Sequence, residues 1–254
     1  MEITNLLSTA IINKTPISFS KYGDGEYFCA NSHNGHNCDN DNYTEKLRNS
    51  LIESFKYMVN NTDNSYIGFW HHDSSQKLFW EKIVEKKVKW AKYHTIIMDP
   101  ENRIEKVNLY KTIKQSNLKK ILVSNPLLLK AKLLFNIDYM LTVPFNNWFD
   151  EKFEILIGEF KKLIDPNEQY IVITCAGMGA KVLICELTKL FPNNIYLDFG
   201  SAIDKICTKK TSRGWEPSYE ELVNDLSEII PSNWNDTKFE EIYKLANKKL
   251  GIHL

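Results

Sequence analysis

The chain has 254 residues, 43% of them hydrophobic and 12% aromatic, enough to bury a substantial core and to exclude a disordered or collagen-like polymer. Thirty-two Lys and Arg balance 32 Asp and Glu, which argues against the broad positive field of sequence-independent nucleic-acid binding. No window approaches the ~20 apolar residues of a membrane span, and the first 20 residues lack the basic flank, unbroken apolar stretch and small-residue cleavage site of a secretory leader, so a soluble protein is expected.

Periodicity predicts alternating helices and strands. Thr4 to Ile12 reads as a helix, Ile17 to Ser20 as a short strand, and Tyr22 to Glu26 as a glycine-flanked turn. A polar stretch over 31–42 reads as a mobile loop, and Tyr43 to Val59 returns to helix with Leu47, Leu51, Ile52 and Phe55 on one face. A strand is expected at Ser65 to Trp70, a helix from about Ser75 to Trp90 and a strand at Tyr93 to Met98. Lys119 to Ser124 is a clear strand that stops at Asn125-Pro126, where a helix can begin with proline in its first turn. Then follow a strand at Tyr139 to Val143, a helix at Phe149 to Leu163, a strand at Tyr170 to Cys175, a helix at Gly179 to Leu190 and a strand at Asn194 to Phe199. A second mobile loop at 205–217 and helices from about 218 and 237 close the chain. Near-continuous apolar strands separated by helices mark parallel strands covered on both faces. The expected fold is therefore a single α/β domain, a Rossmann-like sandwich with a mostly parallel sheet. The five cysteines are odd in number and lack C-x-x-C spacing, and a reducing, cytoplasmic setting is the simplest account.

Ten glycines are few for this length, and six of them, Gly23, Gly25, Gly177, Gly179, Gly200 and Gly214, fall in the segments that can carry chemistry. In SFSKYGDGEY, residues 18–27, Asp24 and Glu26 lie two apart in a tight turn and can converge on a hard cation, while Gly23 and Gly25 permit positive φ and a close ligand. An ordinary exposed turn has the same composition. In residues 171–190 a buried strand runs through Ala176-Gly177-Met178-Gly179 into a helix, a junction that suits a diphosphate or serves tight strand-to-helix packing. In IYLDFGSAID, residues 195–204, Asp198 ends a strand and Asp204 follows six residues on; either can take a hydroxyl proton, hold a sugar hydroxyl or cap a helix near Ala202. His33, His36 and Cys38, with Asp39 and Asp41 nearby, offer soft and hard ligands but make no complete zinc pattern, and of His71 and His72 at most one can face a site. Trp80, Trp90 and Trp234 fall in helical patterns as core residues, whereas Trp148 and Trp215 lie beside the motifs as sugar-stacking candidates.

Taken together, SKYGDGE at 20–26, VPFNNW at 143–148, AGMGAKVLICEL at 176–187 and LDFGSAID at 197–204 resemble, in order and across most of the chain, the motifs of the bacterial glycosyltransferases of the GT-D fold, a group long known only as a domain of unknown function. The resemblance implies transfer of a sugar from a nucleotide-sugar donor, a UDP-sugar favoured, to a hydroxyl of a glycan or glycoprotein acceptor, with Mn²⁺ or Mg²⁺ held by Asp24 and Glu26. It also implies donor contacts from Lys21, Gly23, Gly25, Asn147, Gly177 and Gly179. The family's arginine before the turn is Lys21 here, its GPT is Ala176-Gly177-Met178-Gly179, and the histidine of its last motif is Ser201. Chemically, a metal and helix-end amides stabilise a departing nucleoside diphosphate, and a carboxylate takes the acceptor's proton. Asp204 is the expected base, Asp198 the expected positioning residue, and Arg213 an expected diphosphate or acceptor contact. A non-catalytic nucleotide-sugar binding module and a metal-dependent phosphate-ester hydrolase are the rival readings.

Overall fold

The computed structural model describes residues 2–69, 74–92, 96, 103–210 and 216–235. Among these described residues seven strands, β1 (Ile17–Lys21), β2 (Ser65–Phe69), β3 (Trp90–Lys92), β4 (Lys119–Ser124), β5 (Tyr139–Thr142), β6 (Tyr170–Cys175) and β7 (Ile195–Asp198), form one sheet in the order β3-β2-β1-β7-β6-β4-β5. Every pairing is parallel. The α/β expectation therefore holds, and so does its reason: β1, β6 and β7 are buried at every position, as strands covered on both faces must be.

The helices are α1 (Ile3–Asn13), α2 (Asp24–Ala30), α3 (Glu45–Asn61), α4 (Ser74–Lys82), α5 (Arg103–Gln115), α6 (Ala131–Phe135), α7 (Trp148–Leu163), α8 (Gly179–Leu190), α9 (Asp204–Thr208) and α10 (Tyr219–Asp225). Two apolar clusters sandwich the sheet. One packs Leu7, Leu109, Phe135, Leu197 and Leu226 from α1, α5, α6, β7 and the end of α10; the other packs Leu51, Phe55, Phe160, Leu183 and Tyr196 from α3, α7, α8 and the opposite face of β7.

Several boundaries differ from the sequence reading. The turn at 22–26 is already helical from Asp24. The helix expected to reach Trp90 stops at Lys82, and Trp90 opens β3, the start of the strand expected from Tyr93, most of whose expected span lies outside the described residues. Helix α5 was not foreseen: its lysines and glutamate blur the apolar stripe, although Leu109, Tyr110 and Ile113 are buried. After Asn125 a single 3-10 turn, Pro126–Leu128, precedes the short α6. The proposed helix from 237, together with Trp70 to Asp73, Arg213, Gly214 and Trp215, lies outside the described residues.

From β1 the chain moves to β2 on one side of the sheet, and from β4 to β5 on the other. Such a reversal of winding opens a crevice over the carboxyl ends of the central strands, the usual ligand site of open α/β sheets.

Candidate active site

A cavity of about 450 Å³ opens over the carboxyl ends of β1, β6 and β7, within the range of small-molecule sites. Its floor is built from four charged side chains. Lys21 ends β1; its backbone N–H donates to Asp198 Oδ2 at 2.8 Å and its Nζ to the Phe199 carbonyl at 2.6 Å. Lys181, in the first turn of α8, reaches back to the Gly177 carbonyl (3.0 Å), Glu26 Oε1 (2.9 Å) and Asp198 Oδ2 (3.2 Å). Burial, the largest influence, lowers the proton affinity of both lysines. For Lys21 burial wins, helped by the neighbouring Lys181; for Lys181 the two carboxylates overcome it and hold the ammonium above its ordinary value.

The residues expected from the sequence take different places around this floor. Asp24 is exposed on the rim, its Oδ1 accepting from the Gly25 N–H at 2.9 Å. Glu26 is buried; its Oε2 accepts from the Gly23 N–H at 2.8 Å, closing the start of α2, while Oε1 meets Lys181. Tyr22 fixes this turn from below, its ring edge-on to Phe55 and Trp80 with centroids 5.0 Å away in each case, and its hydroxyl 3.0 Å from Ser54 Oγ. Neither Gly23 nor Gly25 takes a positive φ, contrary to expectation; a Cβ on Gly25 would stand 3.1 Å from Asn37 Cβ, tighter than an ordinary contact. Gly177 (φ +59°) and Gly200 (φ +50°) do adopt left-handed backbone. A Cβ on Gly200 would come within 2.5 Å of Lys21 Nζ, and one on Gly177 within 2.4 Å of Asp41 Oδ2.

As a shared metal pair, Asp24 and Glu26 do not fit. Both Glu26 oxygens are engaged, one by an ammonium that would lie beside any ion bound there, and like charges at that distance repel. Among the described residues no three His, Cys, Asp or Glu side chains converge to hold a metal, the His33, His36 and Cys38 stretch included.

Other expected contacts are corrected by packing. Gly179 lies outside the cavity; its Cα faces the Trp148 indole, where a Cβ would stand 2.7 Å from Cζ2. Trp148 is itself 2% exposed, donating its indole N–H to the Ala176 carbonyl at 2.9 Å, and so is a core residue rather than a sugar platform. Asn147 lies at the left-handed N-cap of α7 and clasps the 37–42 loop: its Oδ1 accepts from the Asn42 N–H at 2.8 Å, and its own N–H donates to Asp41 Oδ1 at 2.8 Å. Asp198 is 0% exposed and holds the floor from beneath, while Asp204, the first residue of α9, does line the cavity.

Sequence reasoning gave Asp41 only as a candidate ligand beside His33, His36 and Cys38, and missed Phe145. The 31–42 stretch, expected to be mobile, is a tied turn: Asn37 Oδ1 accepts from the Asp39 and Asp41 amides at 2.9 and 2.8 Å, and a bridge pairs His36 with Asn42. That turn buries Asp41 to 6% exposure in the cavity wall. Burial raises its proton affinity, against the Asn147 and Met178 amides that favour its anion. Phe145, 40% exposed, contributes an aromatic face to the same cavity. A polar residue at a cavity wall leaves no trace in periodicity.

No family model matches the sequence, and no curated protein does. Solved structures do. A protein from Streptococcus sanguinis described as a new glycosyltransferase of the domain of unknown function 1792 superposes with a TM-score of 0.59 at 15% identity, over 92% of this chain and 95% of that one. A second structure of that domain, described as having a distinct glycosyltransferase fold, gives 0.54 at 17% identity, over 90% and 88%. The chain has this glycosyltransferase fold. A selenomethionine-substituted structure of the same domain gives 0.55 at 18% identity over the same shares. The likeness is one of fold. No helix among the described residues is long and apolar enough to cross a membrane.

Proposed function

We propose that the protein is a glycosyltransferase that moves a sugar from a nucleoside-diphosphate sugar, a UDP-sugar by preference, to a hydroxyl of a glycan or glycoconjugate. The observation that carries this reading is the cavity itself: two buried ammonium groups, Lys21 and Lys181, lie beneath a wall of carboxylates on a glycosyltransferase fold. Departure of the diphosphate builds negative charge on its oxygens, and cations already held in place stabilise that charge without reorganising. Carboxylates in the wall accept hydrogen bonds from sugar hydroxyls, and Phe145 offers an aromatic face for a sugar ring or a nucleobase. Asp198 serves by holding Lys21 and Lys181 in place rather than by touching the sugar.

The test is a panel of UDP-, GDP- and CDP-sugars, followed by the shift in melting temperature and by release of the nucleoside diphosphate, in EDTA and in Mn²⁺ or Mg²⁺. At least one donor is expected to raise the melting temperature, because a ligand of the folded state stabilises it, and to be cleaved. A panel in which no donor binds under either condition refutes the reading. Comparing the two ionic conditions measures directly whether a divalent ion enters with the donor.

A further inference from the structure

Resting on the glycosyltransferase reading above, we propose that Asp41, in the tied turn between α2 and α3, is the carboxylate that takes the proton of the attacking hydroxyl. A base must be aimed, must face the reacting space and must be able to accept a proton. Asp41 is aimed by groups from separate parts of the chain, the Asn147 N–H at the start of α7 and the Met178 N–H before α8, and its own turn is closed by Asn37. It faces the cavity although its side chain is almost wholly buried.

The other wall and floor carboxylates are worse placed to receive a proton. Glu26 and Asp198 are clamped to the Lys181 ammonium. Asp24 stands exposed on the rim with its Oδ1 turned to the Gly25 N–H, and Asp204 is only partly buried at the start of α9, so neither is held as firmly against the cavity as Asp41. For Asp41 burial outweighs the amides of Asn147 and Met178, and of the two charged neighbours that act on it most, Asp39 favours the acid and Lys181 the anion. The step is balanced with water as the attacking hydroxyl. The O–H proton passes to Asp41, the oxygen bonds to the anomeric carbon, and the bond from that carbon to phosphate oxygen breaks with its electron pair leaving on the nucleoside diphosphate. Attack from the face opposite the leaving group inverts the anomeric centre.

The experiment uses the full chain and the nucleotide sugar that the donor panel finds to bind best, with water as acceptor, so that no natural acceptor need be known. Asp41→Asn is expected to keep the melting temperature within a few degrees and the donor dissociation constant within threefold, while cleavage falls ~100-fold or more, the usual size of acid–base catalysis. Asp204→Asn is expected to cost less than tenfold. Formate, entering the space left by Asp41→Ala, is expected to restore part of the rate, which a purely structural role would not allow. The sugar released first by the wild type, followed by NMR before it mutarotates, is expected to show the inverted anomer. Wild-type cleavage in Asp41→Asn, a rate loss matched by an equal loss of donor binding, or a retained anomer overturns the assignment while leaving the enzyme a glycosyltransferase. Failure of every donor to bind overturns both.

Discussion

Gly177 and Gly179 stand two positions apart at one strand-to-helix junction, yet they answer to different neighbours. Gly177 has left-handed backbone and abuts the Asp41 carboxylate; Gly179 abuts the Trp148 ring. Gly179→Ala is therefore expected to destabilise by about 1–3 kcal/mol through overpacking, with donor affinity of the folded fraction unchanged; a loss of affinity with normal stability would return Gly179 to the ligand site. The pair Asp24 and Glu26 separates in the same way. Asp24→Ala removes an exposed side chain bonded only within its own turn and is expected to stay within about 0.5 kcal/mol of wild type in urea unfolding. Glu26→Ala opens the start of α2 and leaves Lys181 with one carboxylate, and is expected to cost about 3 kcal/mol or more. Equal costs would mean that the clamp is not formed.

Among the elements, the tied turn over 37–42 and the start of α7 act as one unit. Asn147 supplies both the left-handed corner and the acceptor for Asn42, so Asn147→Ala loses backbone compatibility and a hydrogen bond together. Faster amide hydrogen exchange at Asp41 and Asn42, by tenfold or more, is expected, with the β4 and β6 amides unaffected. Asn147→Gly keeps the corner and is expected to show a smaller increase. Protection unchanged in both variants would show that the turn holds itself closed through Asn37 alone. The link matters for function because the same turn carries Asp41 into the cavity.

Across the whole molecule, four of the five cysteines are buried and none is joined in a disulfide. Burial pushes the Cys207 thiol well above its ordinary value of 9.0, with Asp204 adding to the effect. Above pH 9 the unfolded chain loses this proton while the folded chain keeps it, so the fold binds more protons than the unfolded state and its stability falls with rising pH. The contribution of Cys207 is complete below pH 9 and declines by about 1.4 kcal/mol per pH unit above it. Cys207→Ala is accordingly expected to be less stable than wild type at pH 7, with the deficit shrinking between pH 9 and 10.5 in chemical unfolding. A deficit that stays constant with pH would mean that the thiol titrates normally in the fold.

The sequence by itself determined the architecture, because burial of a parallel strand on both faces demands an unbroken apolar run, as in IVITC and KILVS, and such runs are visible without any partner. It also located the carboxyl-edge segments that hold Lys21, Asp24, Glu26, Gly177, Asp198 and Asp204, since tight turns after buried strands require glycine and short polar residues. Helix α5 escaped because its burial comes from α1 and β-sheet neighbours rather than from a clean stripe of its own. What only the tertiary structure decided is which of those polar groups face the ligand. Glu26 and Asp198 are spent on Lys181, Gly179 and Trp148 on each other, and Asn147 on the turn that delivers Asp41. A carboxylate's role depends on what lies within about 3 Å of it, and here Lys181 reaches Glu26, Lys21 reaches Asp198 and Asn147 reaches Asp41 from more than a hundred positions away.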